Sequence, residues 1–222
     1  MNKEELTNIA LFPIPNLVTF PHSVVPLHVF EPRYRKMIQD CIDNGVRIGV
    51  CHVEETLSEA KKGQSLEETL NSNQATYQPQ NIFSAGFCEL KETLEDGRLL
   101  VNIKMDGRYQ LKNRVQHVPY QIYECESYND ADYDENMTET MREKLNGFLM
   151  KFAAQNEDPR LTEFLESQVW QEQSNERYSF GLFELLKFDS DFSQEILELK
   201  SPQLRLEFAC RLLNIPVLSS TH

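Results

Sequence analysis

Two residue types in this chain can form a catalytic pair, a histidine base and a cysteine nucleophile. His28 lies among apolar neighbours, and a histidine beside Cys41 or Cys51 is the arrangement that activates a thiol for attack. A core or turn histidine with its ring hydrogen-bonded to the backbone explains the same residue with fewer assumptions. We therefore expect no catalytic pair at His28.

A second candidate is the cluster of charges Glu31, Arg33 and Arg35, which has the composition of an acidic–basic site. Pro32 suits the first position of a helix, and a carboxylate at that helix start is favoured by the helix dipole. Ion pairs with the nearby arginines complete this simpler interpretation, which assigns the cluster to folding.

The motifs that assemble most catalytic sites are absent from the sequence. It has no Gly-rich phosphate loop, no G-x-S-x-G and no H-E-x-x-H, and its five histidines are scattered. The five cysteines are odd in number and lack C-x-x-C spacing, which predicts buried reduced thiols at Cys41, Cys51, Cys88, Cys125 and Cys210. The sequence predicts a protein that is not an enzyme and holds no metal and no cofactor.

The charge of the chain narrows the possible partners. A net charge of −13 argues against binding to nucleic acid or to anionic lipid, both of which need a basic face. It fits a soluble surface, and less strongly an attraction to basic partners. With no secretory signal and no apolar run long enough to span a membrane, we expect a cytoplasmic protein. The sequence does not define its oligomeric state.

Residues 1–128 are predicted to be rich in strands. The proline pattern predicts an extended segment at residues 11–15. A short apolar strand is predicted at residues 17–20. Another strand is predicted at residues 24–30, and its Pro26 places it at an edge or a bulge. One helix runs from Pro32 to Asn44, with an apolar stripe at helical spacing and Gly45 as its cap.

The rest of this region continues as strands around one polar segment. Strands are predicted at 46–53, 82–90, 99–103, 108–111 and 120–126, and Gly86 marks a possible bulge. Asp96-Gly97 predicts a hairpin with a type I′ turn. Residues 54–80 are predicted to be a long surface excursion, partly helical near 57–70.

Beyond an acidic run at 129–136, interpreted as a hinge, the pattern is helical. Apolar stripes predict helices within residues 129–222, and core packing is the simplest role for Trp170. Ser193 is a predicted cap, as is Ser201 before Pro202. The inward face of the last helix is predicted to consist of Leu204, Phe208, Leu212 and Ile215.

The N-terminal residues carry a specific resemblance. The run from Leu11 to Pro21 and the string Pro26-Leu27-His28-Val29-Phe30-Glu31-Pro32-Arg33-Tyr34-Arg35 resemble the opening of the N-terminal, substrate-binding domain of Lon proteases. Segments 96–101, 107–109, 119–120, 201–202 and 205–206 resemble later parts of that family. The similarity spans nearly the whole chain and is strongest at its start.

The resemblance implies an α+β fold, a PUA-like pseudo-β-barrel over 1–128 followed by a helical bundle over 129–222. It implies a docking surface for unfolded or apolar protein segments, in a stand-alone domain that lacks the ATPase and protease modules. Binding would use strand addition near Pro26 or an apolar groove between barrel and helices. The motif residues that would contribute, and that folding alone also explains, are His28, Phe30, Glu31, Arg33, Tyr34, Arg108 and Tyr109.

Two other functions remain open at this point. One is a hydrolase activity of the ATP-dependent protease type, which the family name suggests. The other is RNA binding through the PUA-like barrel, against which the net charge of −13 weighs.

Overall fold

The fold is α+β, as the sequence predicts. The computed structural model describes residues 6–58, 72 and 74–216. Contacts divide the chain into two units, Met1–Asn129 with Phe188–Leu197, and Asp130–Lys187 with Glu198–His222. The predicted division into two domains, at 128/129, and the PUA-like class of the first both stay predictions.

The first unit contains eight strands and two helices among its described residues. The strands are β1 Thr7–Pro13, β2 Val24–Val29, β3 Arg47–Cys51, β4 Val53–Ser58, β5 Thr76–Pro79, β6 Ile82–Thr93, β7 Leu99–Gln116 and β8 Ile122–Ser127. The helices are α1 Pro32–Asn44 and α6 Ser190–Glu198, whose last residue falls in the second unit.

Strand β7 organises the sheet of this unit. The strand order is β2-β7-β6-β3-β1-β8, and β7 also pairs with β8, so that the order returns on itself. All of these pairings are antiparallel except that between β1 and β3. β2 pairs only with β7 among the described strands, and its Pro26 therefore lies at an edge, as predicted.

A bulge predicted at Gly86 is confirmed. Ala85 pairs with Gly107 and Gly86 with Met105, so β7 has one extra residue, Asp106, at this point. A Cβ on Gly86 would lie 1.8 Å from the carbonyl oxygen of Lys104. Only glycine lets the two strands approach this closely.

We call the six strands of this sheet the ring strands, and apolar residues on both of their faces form two core clusters. Along β1, Ile9 and Leu11 pack in one cluster and Ala10 in the other, because successive side chains point to opposite faces. The second of these clusters also receives the buried face of α1, which includes Met37 and Ile38. The helix begins at Pro32 and is capped by Gly45 at φ 64°, as predicted.

Three strand and turn predictions in this unit need correction. Leu17–Phe20 is not a strand; Phe20 is 5% exposed and Thr19 O accepts from Ser84 Oγ at 2.6 Å, so the apolar run reflects burial without strand pairing. The Asp-Gly hairpin joins β6 to β7, but of that pair only Gly97 has a positive φ (81°), which rules out a type I′ turn.

The third correction concerns the polar excursion. Its described ends are strands, since β4 and β5 pair as a two-stranded antiparallel sheet. A strand with polar side chains on its solvent face is difficult to recognise within a polar stretch of sequence. The predicted helix near 57–70 lies, from residue 59 on, outside the described residues.

The second unit is helical, as predicted. Its helices are α2 Glu135–Gln155, α3 Pro159–Glu166, α4 Gln168–Gln171, α5 Asn175–Leu186 and α7 Pro202–Leu212. Side chains of aspartate or serine accept the first free N–H groups of these helices, at Asp134, Asp158, Ser167, Ser174 and Ser201. The predicted cap at Ser201 is therefore confirmed.

Two helix predictions were wrong. Ser193 caps no helix, because α6 begins at Ser190 and its free N–H at Phe192 is bound by Asp189 Oδ1 at 2.9 Å. On α7, Leu204 and Leu212 are 42% and 40% exposed. The buried face of this helix lies one residue further along and is formed by Arg205, Leu206, Ala209 and Cys210.

Arg205 explains the rotation of that face. Its side chain is fully buried and forms a bidentate pair with Asp130, with Nη1–Oδ1 2.9 Å and Nη2–Oδ2 2.6 Å. Nε donates to Ser179 Oγ at 2.8 Å, and the guanidinium lies 3.9 Å from the ring centre of Phe180. A buried arginine whose charge is paired and whose three nitrogens all donate hydrogen bonds packs like a core residue.

Trp170 is 1% exposed, which confirms its predicted core role, and its Nε1 donates to Asn146 Oδ1 at 2.9 Å. The sequence also predicts one helix with an apolar stripe of Leu161, Phe164, Leu165 and Val169, but the chain breaks this helix at Ser167, which ends α3 and caps α4. No described helix is long and apolar enough to cross a membrane.

We expect Gly86→Ala to lower the free energy of unfolding by about 1–3 kcal/mol or more, because the added methyl meets backbone atoms. Gly147→Ala is the matched control. A Cβ there meets nothing within 4 Å, so replacing this helical glycine should stabilise the protein by about 0.5–1 kcal/mol. Urea denaturation measures both, and effects of the same sign would contradict the geometry.

Arg205→Met should lower the free energy of unfolding by about 3–5 kcal/mol, because Asp130 loses its buried partner. Arg211→Met on the same helix changes an exposed side chain and should shift stability by less than about 0.5 kcal/mol. Chemical denaturation curves of the two variants test this, and equal midpoints would refute a dominant role for Arg205.

Candidate functional site

A cavity of about 230 Å³ lies beside the first turn of α1. Its walls come from β1, from α1, from the start of β5 and from the connection between β7 and β8. Two of the predicted site residues, Arg33 and Tyr34, line it together with Gln74, Thr76, Val118 and Gln121. We take this Tyr34 cavity as the candidate site.

Arg33 joins α1 to the start of β5. Its Nη2 donates to Ala75 O at 2.6 Å and its Nη1 to Thr76 Oγ1 at 3.2 Å. Glu31 lies 2.9 Å from Arg33 Nη2 and also accepts from the backbone N–H of Gln74 at 2.9 Å. The two charges compensate each other, so the cavity wall is close to neutral.

Tyr34 gives the cavity an aromatic wall. The ring is 6% exposed, stacks on Phe12 with centroids 4.2 Å apart, and carries the Arg33 guanidinium 4.6 Å from its centre. Burial raises the pKa of the Tyr34 phenol well above its ordinary value, although Arg33 acts in the opposite direction. The ring therefore stays neutral at physiological pH.

Gln121 lines the cavity with a side chain that is itself buried. The side chain is 7% exposed, and its Nε2 donates to Tyr77 O at 3.2 Å, which fixes the amide. Its Oε1 is buried without a hydrogen-bond partner among the described residues. Buried acceptors are normally satisfied, so this atom is an exception, and its burial keeps it out of contact with the open space of the cavity.

Val118 provides an apolar contact at the mouth. It lines the cavity yet is 73% exposed, and it precedes Pro119 through a cis peptide bond. Neither Val118 nor Gln121 was predicted as a site residue. The only signal for them is an apolar residue next to a proline within a polar stretch, and that pattern is common in loops.

The size of the cavity limits what it can bind. Pockets for free small molecules usually measure about 300–1,000 Å³, and this one is smaller. An aromatic wall and an apolar rim suit a single side chain of a protein segment. The described residues contain no group of three or more His, Cys, Asp or Glu placed to hold a metal ion.

The other predicted site residues lie elsewhere. His28 is exposed on β2 and Phe30 is half-buried beyond its end, and neither lines the Tyr34 cavity. Arg108 is 5% exposed and its Nη1 donates to Leu197 O at 2.5 Å, near the end of α6. This contact places a cation at the carboxyl end of a helix, which is a stabilising arrangement.

Tyr109 belongs to a separate cluster at the bulge of β7. Its hydroxyl donates to Asp106 Oδ1 at 3.3 Å, and Asp106 forms an ion pair with Arg47 at 2.8 Å. Burial, followed by the charge of Asp106, raises the pKa of the Tyr109 phenol. The structure thus brings Glu31, Arg33 and Tyr34 together and leaves the remaining predicted residues apart.

Comparison with known proteins identifies the family. The family model described as the ATP-dependent protease La (LON) substrate-binding domain matches residues 8–215. No curated protein matches the sequence. Among solved structures, the N-terminal domain of Mycobacterium avium complex Lon protease has a TM-score of 0.63 at 10% identity, over 94% of this chain and 98% of that chain.

The Lon N-terminal domain protein from Xanthomonas campestris has a TM-score of 0.52 at 19% identity, over 95% of this chain and 99% of that chain. Similarity at such low identity shows a shared fold. The family model adds the assignment, because it covers nearly all of the sequence. This chain belongs to the family of LON substrate-binding domains.

Proposed function

We propose that this protein is a non-catalytic module that binds segments of other proteins and acts in protein quality control. The observation that carries the proposal is the match of the substrate-binding family model to residues 8–215. The free state of all five cysteines supports a reducing compartment such as the cytosol.

The Tyr34 cavity supports a mode in which one client side chain is inserted. Tyr34 contributes the aromatic wall, Val118 extends the contact area to the surface, and Gln121 also lines the cavity. Since Glu31 and Arg33 neutralise each other, an uncharged client side chain is favoured over a charged one.

Strand addition at β2, one of the two binding modes that the sequence suggests, has weaker support than insertion of a side chain into the Tyr34 cavity. Ser23 O accepts from Met105 N at 2.9 Å, and backbone groups alternate sides along a strand, so the nitrogen of Pro26 faces away from β7. A strand that pairs with this edge loses one hydrogen bond at Pro26. Proline at an edge is a common protection against such pairing.

The thiols support a non-catalytic role. Burial raises the pKa of Cys41 to about 12 and that of Cys51 well above its ordinary value, so both are protonated at neutral pH. The hydrogen-bond partner of Cys51 Sγ is the carbonyl oxygen of Gly49, at 3.5 Å, and a backbone carbonyl is not a base that could deprotonate the thiol. Since only the thiolate is a nucleophile, the pairing of either cysteine with the exposed His28 has no support.

We expect the thiols of the native protein to react with iodoacetamide far more slowly at pH 7.5 than those of the unfolded chain. Burial raises the pKa of Cys88, the half-buried thiol, to about 11, so its rate should rise about tenfold per pH unit up to that value. Mass spectrometry of labelled peptides measures each site. A thiol labelled rapidly at neutral pH would point to a nucleophile and contradict the proposal.

An array of overlapping 15-residue peptides from an unfolded protein, followed by calorimetry without ATP, tests the binding function. Apolar peptides should bind, and Val118→Ser should weaken the best of them about fivefold or more by removing an apolar contact. Val115→Ser is the control, because Val115 is also exposed (55%) but does not line the cavity.

Two results would overturn this proposal. One is an array on which no peptide binds. The other is equal weakening by Val118→Ser and Val115→Ser, which would place binding outside the Tyr34 cavity. Peptide turnover that survives repurification and depends on ATP would favour the hydrolase alternative.

A further inference from the structure

The second unit carries an open groove of about 570 Å³ between one face of α2 and the turn that follows α7. On α2 it is lined by Lys144, Gly147, Phe148 and Lys151, which recur at helical spacing on one face. The opposite wall is the segment Leu213–Pro216. We call this surface the lysine groove.

The walls of the lysine groove are held in place by backbone bonds. Ile215 N donates to Cys210 O at 2.8 Å and Asn214 N to Arg211 O at 3.2 Å, with Asn214 at φ 53°. This is the Schellman pattern that ends a helix in a defined turn. Lys144 Nζ then donates to Pro216 O at 2.8 Å, so the turn is tied to α2 and the groove is formed without a ligand.

Gly147 is a residue that packing within the chain does not explain. It lies inside α2, where glycine weakens a helix relative to alanine, and its φ is not positive. A Cβ at this position would meet no described atom within 4 Å. A segment whose backbone lies directly on α2 at this point does explain a residue without a side chain.

Charge indicates which segment fits. Both charged residues that line the groove, Lys144 and Lys151, are cations, although the whole chain carries −13. Between them lie the glycine and the apolar Phe148, and Leu213 and Ile215 face them across the groove. A partner with apolar side chains on one side and carboxylates on the other matches both features.

We propose that the lysine groove binds an extended segment of another protein in which apolar and acidic residues alternate. In an extended strand, successive side chains point to opposite sides, so a strand between the two walls directs its leucines to Leu213 and Ile215 and its carboxylates to the lysines of α2. This site is separate from the Tyr34 cavity, and the proposal stands or fails independently of the function proposed for that cavity.

Fluorescence anisotropy with the full chain tests the proposal. The probe is a fluorescein-labelled ten-residue peptide that alternates leucine and glutamate, and its matched copy has lysine in place of glutamate. The glutamate peptide should bind despite the net charge of −13, and Lys151→Glu should weaken it about tenfold. Arg177→Glu, the same charge change at an exposed site outside the groove, should alter binding less than twofold.

Gly147→Ala separates binding from folding. It should weaken the glutamate peptide about fivefold while the unfolding midpoint rises, which a purely structural glycine would not do. Tighter binding of the lysine peptide, or an equal response to Lys151→Glu and Arg177→Glu, would show that overall charge governs binding and would overturn the proposal. A dimer in sedimentation velocity that Lys151→Glu dissociates would assign the groove to a second copy and overturn it as well.

Discussion

A single strand imposes the main constraint on the first unit. The 18 residues of β7 pair with β2 at one end, with β8 at the other and with β6 along most of the length. A straight strand does not serve three partners and also return the strand order on itself. A bulge increases the local bend and twist of a strand, and β7 has bulges where Asp106 is added opposite Gly86 and where it pairs with β8, between Leu111 and Gln116.

The second unit is organised around a charge. Arg205 is buried with Asp130, Ser179 and Phe180 around it, in the position where a helical bundle normally has an aliphatic residue. Such a network contributes less net free energy than a well-packed apolar core, but a partner lost from it is costly. Its geometry accepts one arrangement of donors, so it fixes the rotation of α7 about its own axis.

The sequence predicted the features whose cause is local. Pro26 at an edge, Pro32 at a helix start and Gly45 at a helix end all follow from the backbone preferences of one residue. The predicted buried face of α7 failed because Leu204 and Leu212 were counted as core while the true core residue, Arg205, is charged. Periodicity does not show that a distant aspartate compensates an arginine.

The candidate site was predicted only in part, because some of its residues are neighbours in sequence and others are brought together by the fold. Glu31, Arg33 and Tyr34 occur together in the N-terminal motif, whereas Gln121 and Val118 reach the cavity only because β1 bonds to the segment before β8. The strands β4 and β5 were missed because neither shows a clear alternation of apolar and polar residues, and with them the contacts of Arg33 to Ala75 and Thr76 were missed as well.

Those contacts of Arg33 show that the lining of the Tyr34 cavity comes from two parts of the chain. The ring strands and α1 contribute Leu11 and Tyr34, which also belong to the core and tolerate little change. Gln74 and Thr76 come from outside the ring and reach the cavity through Arg33 and Glu31. Gln74 and Thr76 belong to neither core cluster, so substitutions at the β5 side can change the lining of the cavity while the six-stranded sheet keeps its stability.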